Sequence, residues 1–180
     1  MEQVMRVLTP AEYDAIKEVI EKPKMQFQLD VMLYTGMRYI ELQRFTKHPE
    51  WHLPNKKLIY LPSKFTKTRK ERNVLLTPIF NETLKIFLGM GNTLYFSSKS
   101  TMGENLKRWG AKAQIDNPTN IAPKTLRKTW ESWLVTADKQ MLKILASQGH
   151  NSTTALAHYY ASGFTDRDKE EIVKRTEGWG

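Results

Sequence analysis

The sequence predicts a mainly helical α+β domain that carries one small antiparallel sheet. Apolar residues recur at helical spacing through most of the 180 residues, as in the stripe of Leu126, Trp130 and Trp133. Residues typical of helix caps occur at the ends of these stretches, and the run Thr9-Pro10-Ala11-Glu12 is typical of a helix start. Two short apolar runs, residues 58–61 and 73–76, are bounded by turn residues and indicate strands.

Three helices are predicted before the strands, over about residues 10–21, 25–35 and 37–45. Gly36 ends the second helix, because glycine enters the left-handed conformation without steric cost. We therefore place Arg38 in the first turn of the third helix, with Glu41 one turn later on the same face. Such a corner can aim a guanidinium at a phosphate. A surface Arg–Glu pair is the simpler explanation of this stretch taken alone.

The two strands are expected to form a hairpin with a long basic tip. Its cations are Lys64, Lys67, Arg69, Lys70 and Arg72. Lysines in such a loop can protect a sheet edge from aggregation. They can also lie against a phosphate backbone, and the density of positive charge favours this second interpretation.

Helices follow over about residues 78–88, 102–113, 124–134, 141–146 and 166–175, with a further helix after the Ser152 to Thr154 caps. In the fourth of these helices, Leu142 and Leu145 are expected to face inward. Lys124 and Arg127 stand three residues apart at the start of one helix, so they share a face. Two cations at the positive end of a helix dipole indicate an anion between them, and helix N-termini bind phosphate readily.

Composition limits the classes of function. With 28 Lys and Arg against 19 Asp and Glu, the net charge is +9, which favours a polyanionic partner, nucleic acid before anionic membrane. The absence of cysteine excludes disulfides, thiolate metal sites and a cysteine nucleophile. No apolar run is long enough for a membrane span, and the first residues show no signal-peptide pattern, so we expect an intracellular soluble protein.

The remaining polar residues fit metal-free phosphoryl transfer. The sequence has neither a carboxylate cluster for two-metal chemistry nor a glycine-rich phosphate loop. Two guanidinium groups can neutralise the charge that develops on the nonbridging oxygens. A lysine or histidine can move protons, and a tyrosine hydroxyl can attack phosphorus and form a covalent ester.

Five segments in order resemble the sequence boxes of the tyrosine recombinases, the phage-integrase and Xer-type enzymes. They are TGMRYIEL at 35–42 (family pattern T-G-x-R-x-x-E-L), TKTRKERNV at 66–74 (G-K-G-x-K-x-R-x-V), KTLR at 124–127 (H-x-L-R), QGH at 148–150 (L-G-H) and LAHY at 156–159, the nucleophile segment. The resemblance implies that Arg38 and Arg127 hold the scissile phosphate. It also implies that Lys67 protonates the departing 5′ oxygen.

Lys124 stands where the family usually has histidine. Lysine occurs there in integrases of archaeal viruses, so the resemblance points to that branch. Lys124 is then either a general acid–base or a phosphate ligand, and it acts with His150. Tyr159 is the nucleophile implied by the resemblance, with Tyr160 as the alternative, because neighbouring helix positions lie 100° apart and only one can face the phosphate. Glu41 is expected to orient Arg38 or to pack internally.

The resemblance implies a catalytic domain over residues 1–180, with a tail helix over 164–180 and without the family's N-terminal core-binding domain. It implies site-specific cutting and rejoining of double-stranded DNA through a 3′-phosphotyrosyl bond, in a tetramer, without a metal or nucleotide cofactor, in the cytoplasm of a prokaryotic host. A DNA-binding module that has lost catalysis and a type IB topoisomerase are the alternatives. The tail helix is expected either to dock on a neighbouring protomer or to stay solvated.

Overall fold

The computed structural model describes residues 6–151 and 163–180 and has the predicted class, mainly helical with one small sheet. Its helices and strands, in chain order, are α1 (Pro10–Glu18), α2 (Pro23–Thr35), α3 (Tyr39–Phe45), β1 (His52–Leu53), β2 (Leu58–Leu61), β3 (Arg72–Leu75), α4 (Pro78–Gly89), α5 (Lys99–Lys112), α6 (Pro123–Thr136), α7 (Met141–Gln148) and α8 (Asp166–Arg175). Short 3-10 turns occupy Pro49–Trp51, Pro54–Lys56, Ser63–Phe65 and Pro118–Asn120.

The predicted cap at the start of α1 is confirmed. The Thr9 side chain accepts from the Glu12 amide at 3.1 Å, and the Glu12 carboxylate accepts from the Thr9 amide at 2.9 Å. Both bonds satisfy amides that the first helical turn leaves without a backbone partner.

The sheet is antiparallel with the order β1-β2-β3, and the predicted hairpin is formed by β2 and β3. Tyr60 pairs with Asn73 and Leu61 with Arg72 in its register. The prediction missed β1, which has only two residues and is too short to show an alternating pattern.

Helix α6 forms the centre of the core. Trp130 and Trp133 are fully buried, as the apolar stripe predicted. The Trp133 indole donates to the Leu8 carbonyl at 3.0 Å, and Thr129 accepts from the Leu8 amide at 3.0 Å. Burial of each large apolar side chain contributes about 1.5–3 kcal/mol. The helix that carries Arg127 is therefore held rigidly by its apolar face.

The prediction for α7 was wrong at Leu142, which is 79% exposed. Ile144 is instead the fully buried apolar side chain of this helix, beside the buried polar Ser147 and Gln148. The helix also runs two residues farther than predicted, to Gln148. The face of α7 that turns inward is decided by its packing against β3 and α6, and the spacing of apolar residues does not show which elements pack there.

The C-terminal segment packs against α1 and α6 of its own chain, so the expectation of a solvated tail helix was wrong, while docking on a neighbouring protomer stays a prediction. The Arg175 guanidinium pairs with both oxygens of Asp14 at 2.7 and 2.8 Å, and Ile172 is fully buried. Beyond the helix, Trp179 is 3% exposed and its indole donates to the Leu75 carbonyl at 3.1 Å. The tail therefore adds Ile172 and Trp179 to the core and is bonded to β3 at Leu75.

Candidate active site

The Gly36 corner has the predicted left-handed backbone, with φ of 58° at the end of α2. A Cβ on this residue would lie 2.2 Å from the Gln148 Oε1 atom, so only glycine fits. Arg38 is the N-cap of α3 in extended conformation, and not a first-turn residue as predicted. Its backbone amide donates to the Glu41 carboxylate at 3.3 Å, which closes the start of the helix.

Three consecutive carbonyl groups at the end of α7 each bind one arginine. The Ser147 carbonyl accepts from Arg72 Nε at 3.0 Å, and the Gly149 carbonyl accepts from Arg38 Nη2 at 3.3 Å. Between them, the Gln148 carbonyl accepts from Arg127 Nη2. The last carbonyls of a helix have no intrahelical partner and carry the negative end of its dipole. The end of α7 therefore gathers three guanidinium groups from distant parts of the chain.

Gly149 leaves room for the arginine side chains to approach the end of α7. It ends α7 with φ of 70°, and a Cβ there would lie 3.2 Å from the guanidinium atoms of both Arg38 and Arg72. The Gln148 side chain joins the two glycine corners, since its amide donates to the Thr35 carbonyl at 3.1 Å.

Arg72 is not on the basic surface, so its predicted role as a DNA-binding residue is corrected here. Its side chain is 6% exposed and forms a two-armed ion pair with the fully buried Glu41, with nitrogen–oxygen distances of 2.7 and 2.5 Å. Strand alternation explains the inward direction, because Arg72 is two residues before the fully buried Val74. The pair fastens β3 to α3, and Arg72 has no solvent-facing charge to offer a DNA backbone.

Glu41 contacts two arginines and not one. Its Oε1 also lies 3.3 Å from Arg38 Nη1, a contact through which Glu41 can orient Arg38 as predicted. Burial alone would raise the pKa of Glu41, but the hydrogen bonds and charge of Arg72, with the charge of Arg38, hold that pKa below its ordinary value. The carboxylate therefore stays ionised beside the cations.

Arg127 lies at the centre of the cluster. Nη1 donates to the Gly36 carbonyl at 2.6 Å, and Nε lies 3.2 Å from the Glu131 carboxylate. Burial, together with the nearby charges of Arg38 and Arg72, lowers the Arg127 pKa to about 10 against the opposing effect of Glu131. The guanidinium remains charged at neutral pH, but its charge is poorly compensated, and an anion beside it would relieve that cost.

Glu131 is the site residue that the sequence analysis missed. Its side chain is 1% exposed, and the same Oε1 that faces Arg127 lies 2.8 Å from His150 Nε2. The only local signal was its position one turn after Arg127 on the same helix. The pairing with His150 depends on how α6 and α7 meet, which no local pattern specifies.

The two predicted lysines are exposed, unlike the arginines of the cluster. Lys67 is exposed on the loop between β2 and β3, and Lys124 is exposed in the first turn of α6. Within residues 6–151 and 163–180, neither ammonium group has a hydrogen-bond or ion-pair partner. Lys64, Arg69 and Lys70 are also exposed.

The loop that carries Lys67 is nevertheless ordered by its own contacts. The buried Thr66 hydroxyl donates to the Lys70 carbonyl at 2.8 Å, and Arg44 from α3 donates to the Phe65 carbonyl at 2.5 Å. These bonds hold the Lys67 backbone in a short turn anchored to the helix that Arg38 begins.

The two candidate nucleophiles, Tyr159 and Tyr160, lie outside the described residues. The choice between them stays a prediction. Among the residues that the structure does describe, no group of three or more histidine or acidic side chains is arranged to hold a metal ion. In the same part of the chain, every helix is too short or too polar to cross a membrane.

Comparison with known proteins agrees with the geometry. The profile of the phage integrase family matches residues 6–165. None of the curated proteins compared with the chain matches its sequence.

Among solved structures, the XerA recombinase superposes with a TM-score of 0.68 at 19% identity, covering 98% of this chain and 65% of its own. The Tn1549 transposon integrase in complex with transposon right-end DNA gives 0.70 at 16% identity, covering 96% and 66%. The XerH recombinase bound to its difH substrate gives 0.58 at 17% identity, covering 98% and 56%. The chain thus shares their fold and spans about two thirds or less of each.

Proposed function

Because the chain belongs to the phage integrase family, we propose that it recombines or integrates DNA at specific sites by cutting and rejoining strands. The observation that carries this proposal is the set of three arginines held by consecutive carbonyls at the end of α7. Among the described residues, two carboxylates, Glu41 and Glu131, face these three guanidinium groups, so one positive charge is left over. Glu41 takes up the charge of Arg72, so Arg38 and Arg127 are the arginines that can hold a scissile phosphate, the anion that the family handles. The XerH and Tn1549 relatives were solved with DNA, which supports double-stranded DNA as the partner.

In the proposed reaction, Arg38 and Arg127 hold the two nonbridging oxygens of the phosphate. The Tyr159 phenol gives its proton to His150 and attacks phosphorus, so a 3′-phosphotyrosyl ester forms as the bond to the 5′ oxygen breaks. Lys67 donates the proton that the departing 5′ oxygen takes, and Lys124 and His150 assist proton movement and charge stabilisation. The ester conserves the energy of the phosphodiester, so the reverse attack by a 5′ hydroxyl rejoins a strand without a cofactor.

The position of the lysines fits this division of roles. Arg38 and Arg127 are fixed by buried partners, whereas Lys67 and Lys124 are exposed on a loop and a helix start. Exposed ammonium groups can approach the phosphate once DNA lies over the cluster, and Lys64, Arg69 and Lys70 can bind the flanking backbone. We further propose that four protomers assemble on two duplexes, in the cytoplasm of a prokaryotic host. The prediction that the chain belongs with the integrases of archaeal viruses rests on Lys124 and stays a prediction.

The test is the capture of a covalent protein–DNA adduct. The chain is incubated with a pool of nicked duplexes of randomised sequence, and the adduct is separated on a denaturing gel and its modified residue located by mass spectrometry. We expect an adduct with the wild-type protein and with Tyr160→Phe, and none with Tyr159→Phe. An adduct that vanishes only with Tyr160→Phe reverses the choice of nucleophile. An adduct that survives in the double variant refutes the tyrosine mechanism.

A further inference from the structure

We propose that Glu131 is a positioning residue that fixes both the orientation and the tautomer of His150 and couples them to Arg127. This inference rests on the proposed function for its catalytic meaning. The structural observation behind it is that Glu131 Oε1 lies 2.8 Å from His150 Nε2 and 3.2 Å from Arg127 Nε.

The tautomer follows from the chemistry of the acceptor. Glu131 forms an ion pair with Arg127, and an ionised carboxylate can only accept hydrogen bonds. The His150 Nε2 atom must therefore carry a proton, so the neutral ring is the Nε2–H tautomer. Nδ1 then holds the lone pair and is the nitrogen that can accept a proton from a reacting group.

The orientation follows from burial. The Glu131 side chain is 1% exposed on a helix that the core holds rigidly, whereas His150 is 20% exposed at the rim of the site. His150 directly follows the Gly149 corner, and its own amide donates to the Leu145 carbonyl at 2.9 Å. The backbone is thus fixed by α7 and the ring by α6. His150 is one of the residues that line an open cleft of about 460 Å³ between β3 and α7.

The same carboxylate also prepares Arg127 for its ligand. Within the described part of the chain, the guanidinium donates to the Gly36 carbonyl from Nη1 and to the Gln148 carbonyl from Nη2, and its Nε lies 3.2 Å from the Glu131 carboxylate in an ion pair. Each terminal nitrogen of a guanidinium carries two N–H groups, so one remains on Nη1 and one on Nη2. Those two match the two nonbridging oxygens of a phosphate. Glu131 therefore sets the relative placement of the phosphate-binding fork and the histidine.

The test separates the tautomer from the activity. We would label the full chain with ¹⁵N-histidine and determine the tautomer of neutral His150 by two-bond ¹H–¹⁵N correlation, with His150→Gln to assign its signals among the four histidines. Glu131→Gln keeps an oxygen acceptor at similar volume, whereas Glu131→Leu removes it. Glu41→Gln is the matched control, because it removes the other buried carboxylate of the arginine cluster without touching His150.

We expect the Nε2–H tautomer in the wild-type protein, in Glu131→Gln and in Glu41→Gln, and a mixed population in Glu131→Leu. The rate of adduct formation should fall about 100-fold in Glu131→Leu, because a small displacement of the ring misplaces the proton acceptor, and much less in Glu131→Gln. A wild-type Nδ1–H tautomer, or the same tautomer in Glu131→Leu as in the wild type, overturns the proposal. If the wild-type protein forms no adduct, the proposed function fails, while the tautomer pattern still decides the role of Glu131.

Discussion

Removing the Glu41 carboxylate should destabilise the domain far more than removal of an ordinary surface glutamate. Glu41 is fully buried and accepts both arms of the Arg72 guanidinium, whose side chain is 6% exposed. Loss of one partner from a buried ion pair costs about 3–5 kcal/mol, because the remaining charge is left uncompensated. Glu41→Gln keeps one oxygen acceptor, so we expect about 3 kcal/mol, which corresponds to a melting temperature lower by roughly 6–12 °C for a chain of this size.

The assay is urea unfolding at neutral pH, with Glu104→Gln as the control. Glu104 pairs with Lys107 on an exposed helix surface at 3.5 Å, and its removal should leave the free energy of unfolding essentially unchanged. A double-mutant cycle of Glu41→Met and Arg72→Met then isolates the pair. The double variant should be more stable than the sum of the single changes predicts, because neither member of the Glu41–Arg72 pair is left buried without the other. A Glu41→Gln loss below about 1 kcal/mol, or additive single changes, would refute this account of the pair.

The stability that the Glu41 carboxylate contributes should be lost at acid pH. The folded protein holds the pKa of Glu41 below the ordinary glutamate value of 4.5, because the Arg72 and Arg38 contacts outweigh the effect of burial. The stabilisation is therefore fully present above pH 4.5 and is lost as the pH falls below 4.5 through the folded-state pKa. The stability difference between wild type and Glu41→Gln should shrink over that acid range. A difference that stays constant down to pH 3 would contradict the assigned charge state.

Two further changes test the backbone of the site and the tail. Gly149→Ala should cost about 1–3 kcal/mol and strongly reduce adduct formation, because φ is 70° and the new Cβ meets two guanidinium groups at 3.2 Å. Gly103→Ala is its control; it lies inside α5 with its nearest neighbour 3.9 Å away, and should stabilise by up to about 1 kcal/mol in the same unfolding assay. Trp179→Ala should lower the free energy of unfolding by about 3–5 kcal/mol, since the indole is 3% exposed and bonded to the Leu75 carbonyl. Unfolding equal to that of the wild type would mean that the tail does not complete the core.

The sequence determined much of the fold because the relevant signals are local. The Thr9 cap and the Gly36 corner depend on residues within one helical turn of each other. The hairpin of β2 and β3 follows from two apolar runs and the polar segment between them. The order and spacing of the five boxes gave the family, which the family profile confirms.

The arrangement of charges was decided by the tertiary structure. Arg72 belongs to a run of cations, and its inward direction appears only once β3 pairs with β2 and places it on the face of Val74. The sequence places Arg127 four residues before Glu131 and so indicates that pair, whereas the contact of Glu131 with His150 forms only where α7 packs against α6. The carbonyls that gather the arginines are backbone groups, which carry no mark in a sequence. Local periodicity fixes which residues form a helix or a strand, whereas pairing across 19 to 111 positions depends on how whole elements pack together.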